Sequence, residues 1–337
     1  MTILYLIRHA EAEGNVFRRL QGQYDAMITP NGMKQIAALQ KRFENVRVDA
    51  VYASDLTRTC TTAAAIYRAK NLPLHKDARF REIGCGVWEN LPFGYLDRVH
   101  HDLNRDFTRR PRLWQVEGSE HFEDYTHRFM EAMDEVARRH EGGAAAIFSH
   151  GMVMRGVLQS LFFPEKENLG HSENTAVTKL IWENGKYTLE YLNDASHLPE
   201  EITTLGRQMW WRGGEHTDFN MWYRDPMQSD ADMLTQWGAP SGQTVRISML
   251  VERAVGAVGL SLPDGDTAIL EGMYLLPEFR GKGFSAQLLG EAICVARTAG
   301  KKNLIMGKEM LASPTAAKLI AEYGLSETPF SLIPAVR

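Results

Sequence analysis

Cysteine is scarce in this chain, and apolar runs of membrane length are missing. The three cysteines, Cys60, Cys85 and Cys294, are far apart, odd in number and in no CxxC or zinc-type Cys/His spacing. That usage excludes a disulfide framework and a structural zinc, and points to a reduced, cytoplasmic protein with no metal. No apolar run reaches the roughly 20 residues that a membrane span needs. Residues 1–7 are apolar but lack a basic leader and run straight into Arg8-His9, so they read as a strand and not as a signal peptide. A net charge of −4 gives no electrostatic case for nucleic acid or an anionic membrane surface. There is no internal repeat and no low-complexity tract. What is present is ordinary for globular protein, 44% hydrophobic and 24% charged, but 337 residues exceed one core and suit two domains.

The first half alternates strand and helix. Residues 2–7 form a continuous apolar run, as in a strand buried on both faces. Thr29-Pro30 opens a helix, with Thr29 as N-cap, Pro30 at the first helical position and Ile36, Leu39 and Phe43 as the buried stripe. A strand at 48–53, a helix from Ser54 to Lys70, a helix at 119–140, a strand at 144–148 and a helix at 152–162 follow. A hairpin at 175–192 turns across Asn184-Gly185. This order predicts an α/β domain with a mostly parallel sheet. From about residue 198 the texture changes. Trp210, Trp211, Trp222 and Trp237 lie in an aperiodic stretch at 207–237 that has no assignment. Strands at 245–251, 255–260, 268–275 and 303–306 and helices at 284–298 and 314–323 then make an α+β pattern.

Three of the predicted strands end in residues suited to a phosphoryl group. The first ends in Arg8-His9, the second leads through Ser54-Asp55 to Arg58, and the third ends in Ser149-His150-Gly151. Ligands of open parallel sheets bind at the carboxyl ends of the strands. Two arginines and two histidines delivered there can surround one dianion, arginine's planar fork suiting paired oxygens. Any one of these pairs alone reads as structural; all three at successive strand ends do not. The run from Arg8 to Asn15 resembles the R-H-G-x-T-x-x-N signature of the histidine phosphatase (phosphoglycerate mutase-like) superfamily. Ser54 to Thr59, Arg81-Glu82-Ile83-Gly84 and Ser149-His150-Gly151 resemble its later motifs, in order. Ala10 and Ala12 stand where glycine and threonine are usual.

The resemblance covers about residues 1–195 and implies a three-layer αβα domain over 1–198. It implies that His9 attacks phosphorus, forming a phosphohistidine that water then hydrolyses. Arg8, Arg58 and His150 would offset charge on the equatorial oxygens, Asn15 and the amides that open the helix after His150-Gly151, Gly151 among them, would add donors, and Glu82 would protonate the leaving oxygen. The other reading of Glu82 is a surface carboxylate. No cofactor is implied for this domain. Flanking Arg8 and Arg58 should keep His9 neutral, and Glu82, to carry a proton, would need a raised pKa. Residues 81–94 are similar to the phosphatase branch of the family, a phosphoglycerate-mutase-type phosphotransferase being the alternative. The cluster Arg98, His100, His101, Arg105, Arg109, Arg110 and Arg112 near Trp114 is either a second anion site on the substrate or a solvated helix face. Cys85 reads as packing.

The second informative run lies at residues 271–285, where a strand turns at Pro277 into Arg280-Gly281-Lys282-Gly283 and a helix opens at Phe284-Ser285. Glycines let amides face a ligand, and a helix N-terminus favours an anion. The run resembles the acyl-CoA loop of the GNAT family of N-acetyltransferases, over about residues 245–325. That resemblance implies an α+β domain at 199–337 that takes acetyl-CoA through Leu275, Arg280, Gly281, Lys282, Gly283, Phe284 and Ser285. Ser285 departs from the usual glycine or alanine, and Ile320 stands where tyrosine is common, with Tyr323 three residues on. Glu271 is either a residue that contacts the acceptor amine or a sheet-edge carboxylate, and Tyr323 is the candidate acid. The whole chain then reads as a bifunctional enzyme, hydrolysing a small phosphomonoester and acetylating a small-molecule amine. The alternatives are a phosphatase with a non-catalytic acyl-CoA-binding module, and a scaffold with two degenerate sites.

Overall fold

A computed structural model describes residues 1–166, 169–208, 219–238, 242–326 and 328–333. Its strands are β1 (Thr2–Arg8), β2 (Ala50–Ala53), β3 (Leu74–Lys76), β4 (Ala144–Ser149), β5 (Val177–Glu183), β6 (Lys186–Asp194), β7 (Trp222–Arg224), β8 (Thr244–Leu250), β9 (Arg253–Ser261), β10 (Thr267–Leu275), β11 (Asn303–Met306) and β12 (Phe330–Ser331). Its helices are α1 (Glu13–Phe17), α2 (Pro30–Arg42), α3 (Thr57–Tyr67), α4 (Phe93–Val99), α5 (His101–Arg109), α6 (Phe122–Arg139), α7 (Gly151–Phe162), α8 (Thr204–Arg207), α9 (Ala231–Trp237), α10 (Phe284–Thr298), α11 (Lys308–Leu311) and α12 (Pro314–Tyr323). The chain divides into two compact units that are not simple halves. One comprises Met1–Ala12, Leu20–Asn90 and His100–Arg207; the other comprises Glu13–Arg19, Leu91–Val99 and Gln208–Arg337.

In the first unit a six-stranded sheet runs β3-β2-β4-β1-β5-β6, with β1 to β4 parallel and β5 and β6 antiparallel at one edge. Every residue of β4 is buried, and its Ala144-Ala145-Ala146 run leaves room for packing on both faces. Tyr5, Ile7, Ile36, Leu39, Phe43, Val51, Ile66 and Phe148 form one apolar cluster. Helix α2 starts as the sequence predicts: Thr29 accepts from the Gly32 amide at 3.0 Å and Pro30 opens the first turn. Gly32 is required, because a Cβ there would lie 2.2 Å from the Glu11 carbonyl oxygen. Helix α3 starts at Thr57, later than Ser54, since the Ser54 side chain is engaged elsewhere. Register is what builds the site. Arg8 pairs with Ser149 and Ala53 with Phe148, so the residues after β1, β2 and β4 emerge at one edge.

In the second unit a mixed sheet runs β12-β11-β10-β9-β8-β7, antiparallel except for β10 beside β11. Pairing of β10 with β11 stops at Leu270–Met306, while β10 continues to Leu275. Helix α10 buries Leu288, Leu289, Ala292, Ile293 and Ala296 in a cluster with Val258, Leu270, Leu304 and Phe17. Trp222, left unassigned in the sequence, is in β7 and packs with Ile247 and Met249. Trp237 ends α9 and stacks on Tyr274, centroids 4.9 Å apart. Trp210 and Trp211 lie outside the described residues.

Candidate active site

His9 follows β1 and is 4% exposed. Its Nδ1 lies 2.7 Å from the Ala10 carbonyl oxygen. A carbonyl only accepts, so Nδ1 carries the proton and Nε2 keeps its lone pair. The backbone beneath is fixed by the His9 amide donating to Ser149 O at 2.9 Å and by Asn174 Nδ2 donating to His9 O at 2.8 Å. The His150 ring lies 5.3 Å from that of His9, centroid to centroid. Arg58, at 0% exposure, donates from Nε to His150 Nδ1 at 3.2 Å. Guanidinium never accepts, so the His150 proton is on Nε2, which donates to Ser54 Oγ at 2.8 Å. Ser54 in turn meets Thr59 Oγ1 at 2.7 Å, and Thr59 donates to Leu56 O. This relay holds His150 neutral and explains why Ser54 does not cap α3.

Arg58 also donates from Nη2 to Gly22 O at 2.6 Å and from Nη1 to Tyr24 O at 2.7 Å. Three of its five N–H groups are thereby used, and two remain for a ligand. Arg8 donates through Nη1 to Ser172 O, while its buried Nε has no partner among the described residues. A Cβ on Gly151 would come within 3.1 Å of that Nε, so glycine lets the guanidinium lie against the start of α7. Glu82 is 9% exposed and takes the same helix end. Its Oε2 accepts from Met152 N at 3.0 Å, and its Oε1 accepts from Val153 N at 2.7 Å and Ile83 N at 3.1 Å. The structure thus brings His9, Arg8, Arg58, His150, Glu82 and Gly151 to one edge of one sheet. Sequence reasoning missed the orienting roles of Ser54, Asn174 and the Gly22 and Tyr24 carbonyls, because backbone acceptors leave no residue-type signal.

Both histidines titrate well below the ordinary histidine value of 6.5. Burial is the largest cause for each, followed for both by Arg58 and then by Arg8 for His9 and by His9 for His150. Desolvation, which the residue order alone does not show, outranks the arginines. The unfolded chain takes up a proton on such a histidine before the folded chain does, so the stability it confers is present above the unfolded value and lost on acidification. Stability should therefore fall between about pH 7 and about pH 5, and His9→Gln should flatten that slope. Thermal melts across the range check this; identical slopes in wild type and variant would mean that His9 is not held neutral.

Asn15 lies in α1, in the second unit, where its carbonyl accepts from Gln208 Nε2 at 2.8 Å. The basic cluster disperses. Arg98 pairs with Glu252 and lies over Trp222 in the second unit, Arg105 pairs with Asp102 and Arg110 with Asp106 on α5, and Arg112 covers Phe122. Cys85 is fully buried, and burial pushes its thiol well above the ordinary value, as suits a packing residue.

In the second unit, Leu275 ends β10 and its carbonyl accepts from Arg280 Nε at 2.9 Å. Gly281 and Gly283 have φ of 76° and 87°, and open space surrounds both. Among the described residues no side chain caps the start of helix α10 after Gly283, and Arg280 and Lys282 in the loop before it are exposed. The Phe284 side chain is core and packs edge-on against Phe279. Glu271 sits at the bulge between β9 and β10, its carboxylate beside Gly307, where β11 parts from β10. Tyr323 ends α12 with its ring 6.1 Å from that of Phe17. Among the described residues, no helix is long and apolar enough to cross a membrane, and no group of three or more His, Cys, Asp or Glu side chains is placed to hold a metal.

Two family models match the chain: histidine phosphatase superfamily (branch 1) over residues 4–195, and acetyltransferase (GNAT) family over residues 208–324. Phosphoserine phosphatase 1 of Hydrogenobacter thermophilus is 29% identical over 205 residues, covering 59% of this chain and 96% of the relative. The solved structure of YhfR from Bacillus stearothermophilus is 30% identical with a TM-score of 0.56, covering 58% of this chain and 99% of that one. Phosphoglycerate mutase from Bacillus anthracis has the same fold at 21% identity, with a TM-score of 0.53 and coverage of 58% of this chain and 94% of that one.

Proposed function

The chain belongs to the histidine phosphatase superfamily (branch 1), and from that premise we propose that it hydrolyses a small phosphomonoester through a phosphohistidine on His9. The observation that carries this reading is the His9 ring itself: buried, neutral, with Nδ1 spent on Ala10 O and Nε2 left to attack phosphorus. The P–O bond to the leaving alcohol breaks as the Nε2–P bond forms. Glu82 gives the alcohol its proton from Oε2, the oxygen that accepts one amide rather than two, and then takes one from the water whose attack on phosphorus breaks the Nε2–P bond. Arg8, Arg58 and the Gly151 amide offset charge on the equatorial oxygens. The resemblance to a phosphoserine phosphatase supports a phosphatase over a mutase. Free phosphate release from an aryl phosphate in excess chelator tests the reading, since guanidinium groups provide the charge that a metal would. Release that requires added metal would overturn it.

The proposal assigns phosphatase chemistry to residues 1–198 and acetyl transfer to a small-molecule amine to residues 199–337, in the cytoplasm. The loop from Arg280 to Ser285 fits a pyrophosphate because its glycines are left-handed and open and the helix behind it is uncapped. Acetyl-CoA, when bound, supplies the activated acyl group. Leu275 and the β10 edge beyond β11 would hold it, Glu271 would orient or deprotonate the amine, and Tyr323 would give its proton to the departing thiolate. A side chain at Gly283 is strained at its φ of 87°. Gly283→Val should therefore weaken coenzyme A binding by about tenfold or more in calorimetry, through lost amide donors. Unchanged affinity would place the cofactor elsewhere.

A further inference from the structure

Helix α1 has a placement that neither activity explains. The segment Glu13–Arg19 leaves the first unit at Ala12, just after His9, and returns at Leu20, just before Gly22, whose carbonyl holds Arg58. Through the chain itself, both of its ends lead into the phosphate site. Within the second unit the segment is clasped by α10. Phe17, 5% exposed, packs on Gly290 so closely that a Cβ there would lie 2.4 Å from the Phe17 Cβ. Arg297 holds the Glu13 carboxylate at 2.8 and 3.0 Å. Arg19 donates to Glu291 Oε2 at 2.8 Å, and the other Glu291 oxygen accepts from Arg246 at 2.9 Å. Glu13, Arg19 and Glu291 are all buried, so none of these pairs is a solvated surface contact. The Phe17 ring also meets that of Tyr323.

The same α10 opens at the Arg280–Phe284 loop. One rigid helix therefore carries the thioester loop at its start and the clasp along its length, and close packing leaves no slack to absorb a shift between them. We propose that α10 couples the two activities: acyl-CoA binding at its N-terminal loop changes phosphatase turnover, with Gly290, Glu291 and Arg297 as positioning residues for the phosphate site. The proposal rests on the two-activity reading given above. Coupling of this kind is reciprocal, so inorganic phosphate must change coenzyme A affinity by the factor by which coenzyme A changes phosphate affinity.

The test titrates coenzyme A into the full chain while hydrolysis of an aryl phosphate is followed, with binding measured in parallel by calorimetry. A saturable change of about threefold or more in kcat/KM is expected. Arg297→Glu should lower phosphatase kcat/KM by about tenfold, and the swapped pair Glu13→Arg with Arg297→Glu should restore it, a rescue that general destabilisation would not give. Bound coenzyme A that leaves both kcat and KM unchanged would overturn the proposal, as would coenzyme A that fails to bind. If the wild-type chain hydrolysed nothing, the phosphatase reading would fall. The coupling would then be judged by whether inorganic phosphate shifts the coenzyme A Kd.

Discussion

Replacing His9 by alanine is expected to lower phosphatase kcat by about 10⁴-fold or more while the protein stays folded. The size follows from chemistry. Without an imidazole, no covalent intermediate forms, and what remains is the binding and charge stabilisation that Arg8, Arg58 and the Gly151 amide provide. Stability survives for a local reason. Among the described residues the His9 side chain hydrogen-bonds only to the carbonyl of its own neighbour, and the bonds that tie this stretch to β4 and Asn174 are made by the His9 backbone. Removing a group that is buried and resists protonation also removes an acid-sensitive liability. Steady-state rates and melting temperatures check both halves. A variant within tenfold of wild type would place the nucleophile elsewhere.

Arg58→Lys should be nearly as damaging to activity and far worse for stability. The Arg58 guanidinium reaches Gly22 O, Tyr24 O and His150 Nδ1 at once, and a single ammonium cannot span three acceptors set around a planar fork. With its side chain fully buried, each acceptor left unpaired costs about 1–3 kcal/mol. Burial already depresses the arginine, to about 10, and a lysine in its place would more readily shed its charge. A loss of ~10³-fold or more in kcat/KM is expected, the scale on which a transition-state arginine acts in phosphoryl transfer. Denaturant unfolding beside turnover would separate this variant from His9→Ala, which should lose activity alone. A lysine variant of wild-type stability would mean that the three contacts are not simultaneous.

The phosphate edge was legible in the sequence because its residues come in short runs at strand ends, where apolar stretches stop abruptly. Arg8-His9, Ser54 to Arg58 and Ser149-His150 needed only the parallel sheet to meet. Boundaries were less legible where a side chain has a second duty. The sequence pattern starts a helix at Ser54, but the Ser54 side chain is spent on His150 and the helix waits until Thr57. Glu82 could be tied to the family motif, yet its grip on two amides at the folded start of α7 leaves no mark in residue order. The basic residues at 98–112 looked like a patch because spacing shows charge and not partners; Asp102 and Asp106 on the same helix neutralise part of it. Least visible was the departure of Glu13–Arg19 and Leu91–Val99 into the second unit. Phe17 is an unremarkable aromatic until Gly290, hundreds of residues away, is seen to make room for it. No local pattern encodes a contact of that separation.

The measurement that bears most directly on the central claim is a rapid quench of the enzyme during turnover of an aryl phosphate, followed by peptide mapping under alkaline conditions that preserve phosphohistidine. One added phosphoryl group is expected, on the peptide that carries His9, appearing no more slowly than the first product alcohol and absent from His9→Ala. A phosphoryl group on His150 or Cys85, or turnover with no phosphoenzyme at any time, would contradict the mechanism built on the free Nε2 of His9.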